Sequence, residues 1–187
     1  HYDIHDNLLS GAYEDGIQLI DYDDDSDRTF DIYRNIFQDM KDVAISAIFE
    51  VTTENFLGSA MTERVRIYNN YFYRNGYHIT GGDNMIILNN IFEGAATRAI
   101  YRAKGNSIVD HNLFYNGTDT PDTVTGTNNL YADPMRNSDF TLQSGSPAID
   151  SGTAGYTHNS ETVLAIPDGE YSGTNPDMGR YEYGLAR

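Results

Sequence analysis

Two stretches twenty residues apart decide how this chain folds: Ile67-Tyr68-Asn69-Asn70-Tyr71-Phe72 and Ile87-Leu88-Asn89-Asn90-Ile91-Phe92. Each reads as an aliphatic residue, two further residues, an Asn, then apolar residues. The same order stands upstream in Ile4-His5-Asp6-Asn7-Leu8-Leu9 and Ile32-Tyr33-Arg34-Asn35-Ile36-Phe37. It stands again downstream in Val109-Asp110-His111-Asn112-Leu113-Phe114. The five Asn residues follow one another at intervals of 28, 35, 20 and 22. A second apolar position trails each Asn: Ile17, Ile45 and Ile100 lie ten residues after Asn7, Asn35 and Asn90, and Ile79 lies nine after Asn70.

Short apolar runs separated by polar turns, with no helical period between them, predict strands. A unit this small cannot bury its own apolar face, so it must stack on its neighbours. Intervals of 20 to 22 match one coil of a right-handed, single-stranded parallel β-helix, and the longer intervals hold a coil plus an inserted loop. The expectation is an all-β chain with about five coils over residues 1–118. Asn suits the corners, because it tolerates left-handed or bridge backbone conformations. Stacked at the strand spacing of ~4.8 Å, its amide also bonds the coils on either side. Asn7, Asn35, Asn70, Asn90 and Asn112 are therefore expected to form a structural ladder.

From about Gly117 the repeat gives way to Gly, Thr, Asp, Asn and Pro. A stack of parallel strands ends in an unpaired edge, and residues 119–187 are expected to cap it as part of the same domain. No comparable cap precedes the first repeat, and the chain opens at His1 without a signal peptide. Further coils and a targeting signal are thus expected upstream in the same polypeptide.

Composition bounds the function. The 187 residues suit one domain, and 15 Tyr with 8 Phe give it large rings to bury. A net charge of −16 repels phosphate backbones, which argues against nucleic acid as a partner. No apolar run approaches the ~20 residues that span a bilayer. Cysteine is absent, so disulfides and thiolate chemistry are excluded. None of the five His residues stands at zinc-ligand spacing.

Strand alternation suggests an outward face. With Ile17, Ile45, Ile79 and Ile100 inward, Gln18, Ser46, His78 and Tyr101 point out. By the same count His5, Tyr33, Tyr68 and Asp110 point out around Leu88. Rings beside polar groups are what a sugar surface uses. Gln18, Tyr33, Tyr68, His78, Arg98 and Tyr101 are accordingly the expected substrate-binding residues. The plainer account is a wet sheet surface on which Tyr is common because it favours strands. Asp21, Asp23, Asp25 and Asp27 alternate along an acidic loop and offer the hard oxygens that Ca²⁺ takes. An EF-hand is excluded, since no Gly stands at the sixth position and Ile32 stands at the twelfth. A solvated charge run is the default there.

The repeats resemble those of bacterial right-handed parallel β-helix proteins of the pectate-lyase-like and chondroitinase-B-like type. The stretch Asp139-Phe140-Thr141-Leu142-Gln143-Ser144-Gly145-Ser146-Pro147-Ala148-Ile149-Asp150-Ser151-Gly152 resembles the closing segment of one secreted subgroup. So does Pro176-Asp177-Met178-Gly179-Arg180-Tyr181-Glu182-Tyr183. The resemblance implies an extracellular or cell-surface bacterial protein whose partner is a polysaccharide. Several relatives are polysaccharide lyases, in which a Lys and an Arg on neighbouring coils serve as base and cation, aided by Ca²⁺ in some members. Such β-elimination needs a base for the proton beside the carboxylate and a cation for the charge that develops. In this chain the resemblance points to Lys104 as the base, within Tyr101-Arg102-Ala103-Lys104-Gly105-Asn106, and to Arg102 or Arg98 as the cation. The family's following Arg-His-Gly is absent, and Thr125-Gly126-Thr127-Asn128-Asn129 stands there instead. Two functions are expected from these observations. One is an extracellular module that binds, and as a lyase degrades, an acidic polysaccharide; the other is a structural or adhesive surface module without catalysis.

Overall fold

The structure is a computed structural model that describes residues 1–19, 29–47, 64–82, 84–103, 106–117 and 126–185. Each repeat delivers its strands in a fixed order. The first gives β1 (Tyr2–His5), β2 (Leu8–Ser10) and β3 (Ile17–Gln18), and the second gives β4 (Thr29–Tyr33), β5 (Ile36–Gln38) and β6 (Val43–Ser46). The third gives β7 (Arg64–Tyr68), β8 (Tyr71–Tyr73) and β9 (Tyr77–Thr80). The fourth gives β10 (Met85–Leu88), β11 (Ile91–Glu93) and β12 (Arg98–Tyr101), and the fifth gives β13 (Ile108–Asp110) and β14 (Leu113–Tyr115). In the C-terminal segment lie β15 (Leu130–Tyr131), β16 (Gly155–His158) and β17 (Glu161–Ala165).

Like strands pair with like. The first sheet runs β1-β4-β7-β10-β13, the second β2-β5-β8-β11-β14-β15, and the third β3-β6-β9-β12. All these pairings are parallel, whereas β16 and β17 form an antiparallel hairpin. The described residues are all-β and contain no helix, an arrangement compatible with a solenoid. No helix among them is long and apolar enough to cross a membrane.

Register explains the conserved spacing within each repeat. Ile4, Ile32, Ile67, Ile87 and Val109 stand opposite one another along the first sheet. Along the second, Phe37, Phe72, Phe92, Phe114 and Tyr131 stack with ring centroids 4.9 to 5.6 Å apart. Ile45, Ile79 and Ile100 fill the third, fully buried. The three columns meet in one apolar core.

The Asn ladder is present. The Asn7 backbone N–H donates to Asn35 Oδ1 (3.0 Å), Asn35 to Asn70 (2.9 Å), Asn70 to Asn90 (2.9 Å) and Asn90 to Asn112 (2.9 Å). A sixth rung follows, with Asn112 donating to Asn129 Oδ1 at 3.0 Å. The ladder residue is not the one in the left-handed region, however. That conformation belongs to its predecessor: Asp6, Arg34, Asn69, Asn89 and His111 have φ between 49° and 58°. A second left-handed corner follows four residues after each of the first five ladder Asn residues, at Gly11, Asp39, Arg74, Gly94 and Asn116. The ladder Asn turns its amide into the stack, so the bend falls on its neighbour.

The C-terminal segment does more than extend the stack by β15. It returns along the outer faces of two sheets. Phe140, Leu142, Ala148 and Met178 pack on Ile36, Tyr71, Ile91 and Leu113, the outward residues of the second sheet. Val163 and Leu164 of the hairpin cover Ile86, Leu88 and Ile108 on the first. Polar ties fix both contacts. The largely buried Arg64 donates to Glu161 (2.9 and 3.1 Å), and Arg136 donates to Glu93 (2.7 Å) while lying over the rings of Tyr73 and Phe140.

Candidate functional site

The hairpin covers the fourth and fifth repeats and reaches the third at Arg64 and Tyr68, and where it ends the outer face of the first sheet borders a cleft of about 230 Å³. Tyr33 and Tyr68 form its sheet wall. They are register partners on β4 and β7, and their rings stack at 4.9 Å and 6°. His5 continues the stack on Tyr33 at 4.8 Å. Parallel register with like residues at like positions produces this: side chains on one column sit one strand spacing apart, which is a ring-stacking distance. Ala165, Ile166, Pro167 and Pro176 of the C-terminal segment make the facing wall.

Charge lines the rim. Arg34 donates to Asp6 at 2.9 and 3.2 Å and lies 3.5 Å from Glu170, with its guanidinium over the Tyr33 ring. Partial burial is the largest influence on Arg34 and works against its charge, but the Asp6 hydrogen bond together with the charges of Asp6 and Glu170 holds the guanidinium above its usual pKa. Arg180 reaches back to the first repeat, donating to the carbonyls of Asn7 (3.0 Å) and Asp6 (3.3 Å). Glu182 borders the same cleft. Burial, reinforced by the Asp177 charge, pushes its carboxyl up to about 7. Burial likewise raises the phenols of Tyr33 and Tyr68, so both rings are neutral hydroxyl donors at ordinary pH.

The expected binding residues therefore separate. Tyr33 and Tyr68 come together in the cleft. Arg98, Tyr101 and Arg102 gather on the third sheet, where both guanidinium groups lie over the Tyr101 ring at 5.3 and 4.8 Å and Tyr77 adds a second ring at 5.6 Å. Gln18 is on β3 of that sheet, three strands from Tyr101 and so ~14 Å away. It is exposed and shares no site with either group.

His78 is a correction. It does not point outward but is fully buried, with its ring 5.7 Å from both Phe72 and Phe92 and its Nδ1 3.0 Å from Asn75 Nδ2. Thr80 takes the place expected for it, opposite Ser46 and Tyr101, and both Thr80 and Ser46 are buried. Alternation fails because the third sheet buries consecutive residues. Ala44 and Ala99, placed before Ile45 and Ile100 as His78 is before Ile79, are also buried, and their small size leaves room for the imidazole.

Lys104, the expected base, and Asp21, Asp23, Asp25 and Asp27, the expected Ca²⁺ ligands, lie outside the described residues. Within them, His1, Asp3 and Asp31 bring potential metal-ligand atoms within 4.8 Å of one another. Both carboxylate oxygens of Asp31 already accept from Arg66, and that cation leaves little field for a second one. A second, open cleft is lined by His111, Asn128, Asp150 and Asn175, and three of these already serve bonds within the fold. Asn128 bonds the buried Asp110, and Asn175 bonds Asp150.

Sequence reasoning missed Arg34, Glu170, Arg180 and Glu182. For Arg34 a signal exists: the corner residue directly follows the outward ring, so its side chain must border any site on that column. For the other three none exists in local pattern, since the cleft depends on where the C-terminal segment returns. No protein-family model, curated protein or solved structure matches the chain.

Proposed function

We propose that this chain is a right-handed, single-stranded parallel β-helix of about five coils, and that it works outside the cell or on a bacterial surface as a module binding an acidic polysaccharide. One observation carries the reading: the stacked Tyr33–Tyr68 pair lines a cleft rimmed by Arg34 and Arg180. Rings whose faces are spent on the stack offer their edges and neutral hydroxyls, which suit sugar hydroxyls, and the flanking guanidinium groups suit a sugar carboxylate or sulfate. Arg34 is already paired with Asp6 and Glu170, so Arg180 is the cation left to offset locally the repulsion that a net charge of −16 imposes on a polyanion. Ca²⁺ held by the Asp21–Asp27 loop would act in the same direction. Binding is the activity proposed for the cleft; cleavage by β-elimination would rest on Lys104 and Arg102.

The test is retention on immobilised alginate, pectin, chondroitin and neutral glucans, with and without Ca²⁺, while following the absorbance of unsaturated uronate. Binding to an acidic polymer is expected, weakened about three- to tenfold by Tyr33→Ala or Tyr68→Ala, as loss of a hydroxyl hydrogen bond of ~0.5–1.5 kcal/mol requires. Absorbance that rises, and is lost in Lys104→Ala, would extend the activity to a lyase. Failure to bind any polymer would overturn the reading in favour of a structural or adhesive module.

A further inference from the structure

The first repeat has a partner on one side only. β1, β2 and β3 are the terminal strands of all three parallel sheets, pairing with β4, β5 and β6 and with nothing on the opposite edge among the described residues. The apolar interior is open at this end. Ile32, Phe37 and Ile45 are fully buried, yet Ile4, Leu9 and Ile17, their register partners, are only half-buried. Tyr2 stacks one ring face on Phe30 at 5.0 Å and is 55% exposed.

The Asn ladder says what is missing, because it has a direction. At every rung, the backbone N–H and the Nδ2 of one Asn donate to the Oδ1 of the Asn in the following repeat. From Asn35 onward, each Nδ2 also reaches back to a carbonyl of the preceding repeat: Ile4, Ile32, Ile67, Ile87 and Val109 in turn. At Asn7 the acceptor half of this exchange is open, while the donor half is confined to its own and the following repeat. Asn7 Nδ2 bonds only His5 O and Asn35 Oδ1, and no described residue donates to Asn7 Oδ1. The open Oδ1 calls for one backbone N–H and one amide N–H, which an Asn corner on a parallel strand supplies.

We propose that this end is a seat for one more parallel repeat of the same pattern, whose Asn donates to Asn7 Oδ1 and whose apolar residues close the interior over Tyr2, Ile4, Leu9 and Ile17. A second copy fits less well. Related by a two-fold axis it would present the same end, where the Asn7 backbone N–H is already spent on Asn35. Joined head to tail it would present a stepped end, since β15 carries the second sheet one strand beyond β13 and two beyond β12.

The seat is tested by placing a copy of residues 64–83 directly ahead of His1, which sets the added Asn twenty residues before Asn7, the interval between Asn70 and Asn90. The same segment is also supplied to the native chain as a free peptide, in case the extended chain folds poorly. Hydrogen exchange at the Tyr2–His5 amides is the readout, with sedimentation of the native chain alone. Exchange should slow at least ~10-fold with the added repeat, and not when its Asn is replaced by Leu. Unchanged exchange with both the extension and the peptide would overturn the proposal. Concentration-dependent dimers of the native chain that protect the same amides would overturn it in favour of a second copy.

Discussion

His78 brings an imidazole into an apolar interior, where its burial drives the pKa from 6.5 down to about 3. The unfolded chain takes up that proton near pH 6.5 and the native chain does not. Stability from this residue is therefore complete above about 6.5 and falls toward pH 3, by up to ~1.4 kcal/mol per pH unit. Glu182 works with the opposite sign. Its native pKa of about 7 exceeds the unfolded 4.5, so its contribution is complete below 4.5 and is lost as pH rises through 7. The two residues tilt the pH profile in opposing directions, and single variants separate them. In urea titrations across the acid and neutral range, His78→Phe should flatten the acid decline, although Asn75 Nδ2 loses an acceptor and the neutral-pH midpoint drops. Glu182→Gln should remove the loss of stability between pH 4.5 and 7. An unchanged acid limb in His78→Phe would show that the native imidazole takes up its proton.

Among the elements, the corner between the first and second strands of each repeat is where sequence and structure agree most closely and part most instructively. Five rungs were legible because register demands like residues at like positions, and buried amides admit no substitute. The sixth, Asn129, was not. It follows Asn112 by only 17 residues, and the aliphatic position three residues before it holds Gly126. A Cβ at Gly126 would collide with the Asp110 carboxyl, so packing there excludes the residue on which the pattern depends. The left-handed residue also stood one place earlier than the sequence suggested, for a backbone reason that composition cannot reveal, since Arg34 occupies it as readily as Asn69. The ladder makes a graded prediction. Asn90 is fully buried, and its amide serves Asn70 N and Nδ2, Ile67 O, Leu88 O and Asn112 Oδ1. Asn90→Ala leaves several of these groups without partners and should cost about 3 kcal/mol or more. Asn7→Ala, at the exposed end, should cost less than ~1 kcal/mol. Equal urea midpoints for the two variants would mean that the buried amides contribute nothing beyond what water supplies.

For the molecule as a whole, the return of the C-terminal segment joins stability to the cleft. The second sheet carries adjacent apolar pairs, Ile36-Phe37, Tyr71-Phe72, Ile91-Phe92 and Leu113-Phe114, and such pairs mean burial on both faces. That much was readable; which segment supplies the outer cover was not, because the covering residues come from 27 to 142 positions away in chain order, between Leu113 and Phe140 at one extreme and Ile36 and Met178 at the other. Met178 is fully buried in this outer layer, and beside it a Cβ on Gly179 would press on Ile91. Met178→Arg places an unpaired cation there, a change that costs several kcal/mol in a buried site. The inner Phe stack and the ladder do not touch Met178, so release of the outer layer is the expected outcome rather than collapse of the sheets. Binding of an apolar dye should rise and cleavage at the arginines of the segment should quicken, while the amides of β8 and β11 keep their protection. Polysaccharide binding should fall together with the cover, because Ile166, Glu170 and Arg180 line the cleft from the C-terminal side. Retained binding with the segment released would place the ligand on the sheet wall alone, leaving Tyr33 and Tyr68 as sufficient contacts. Loss of protection throughout would instead make the outer layer part of a single cooperative unit with the sheets.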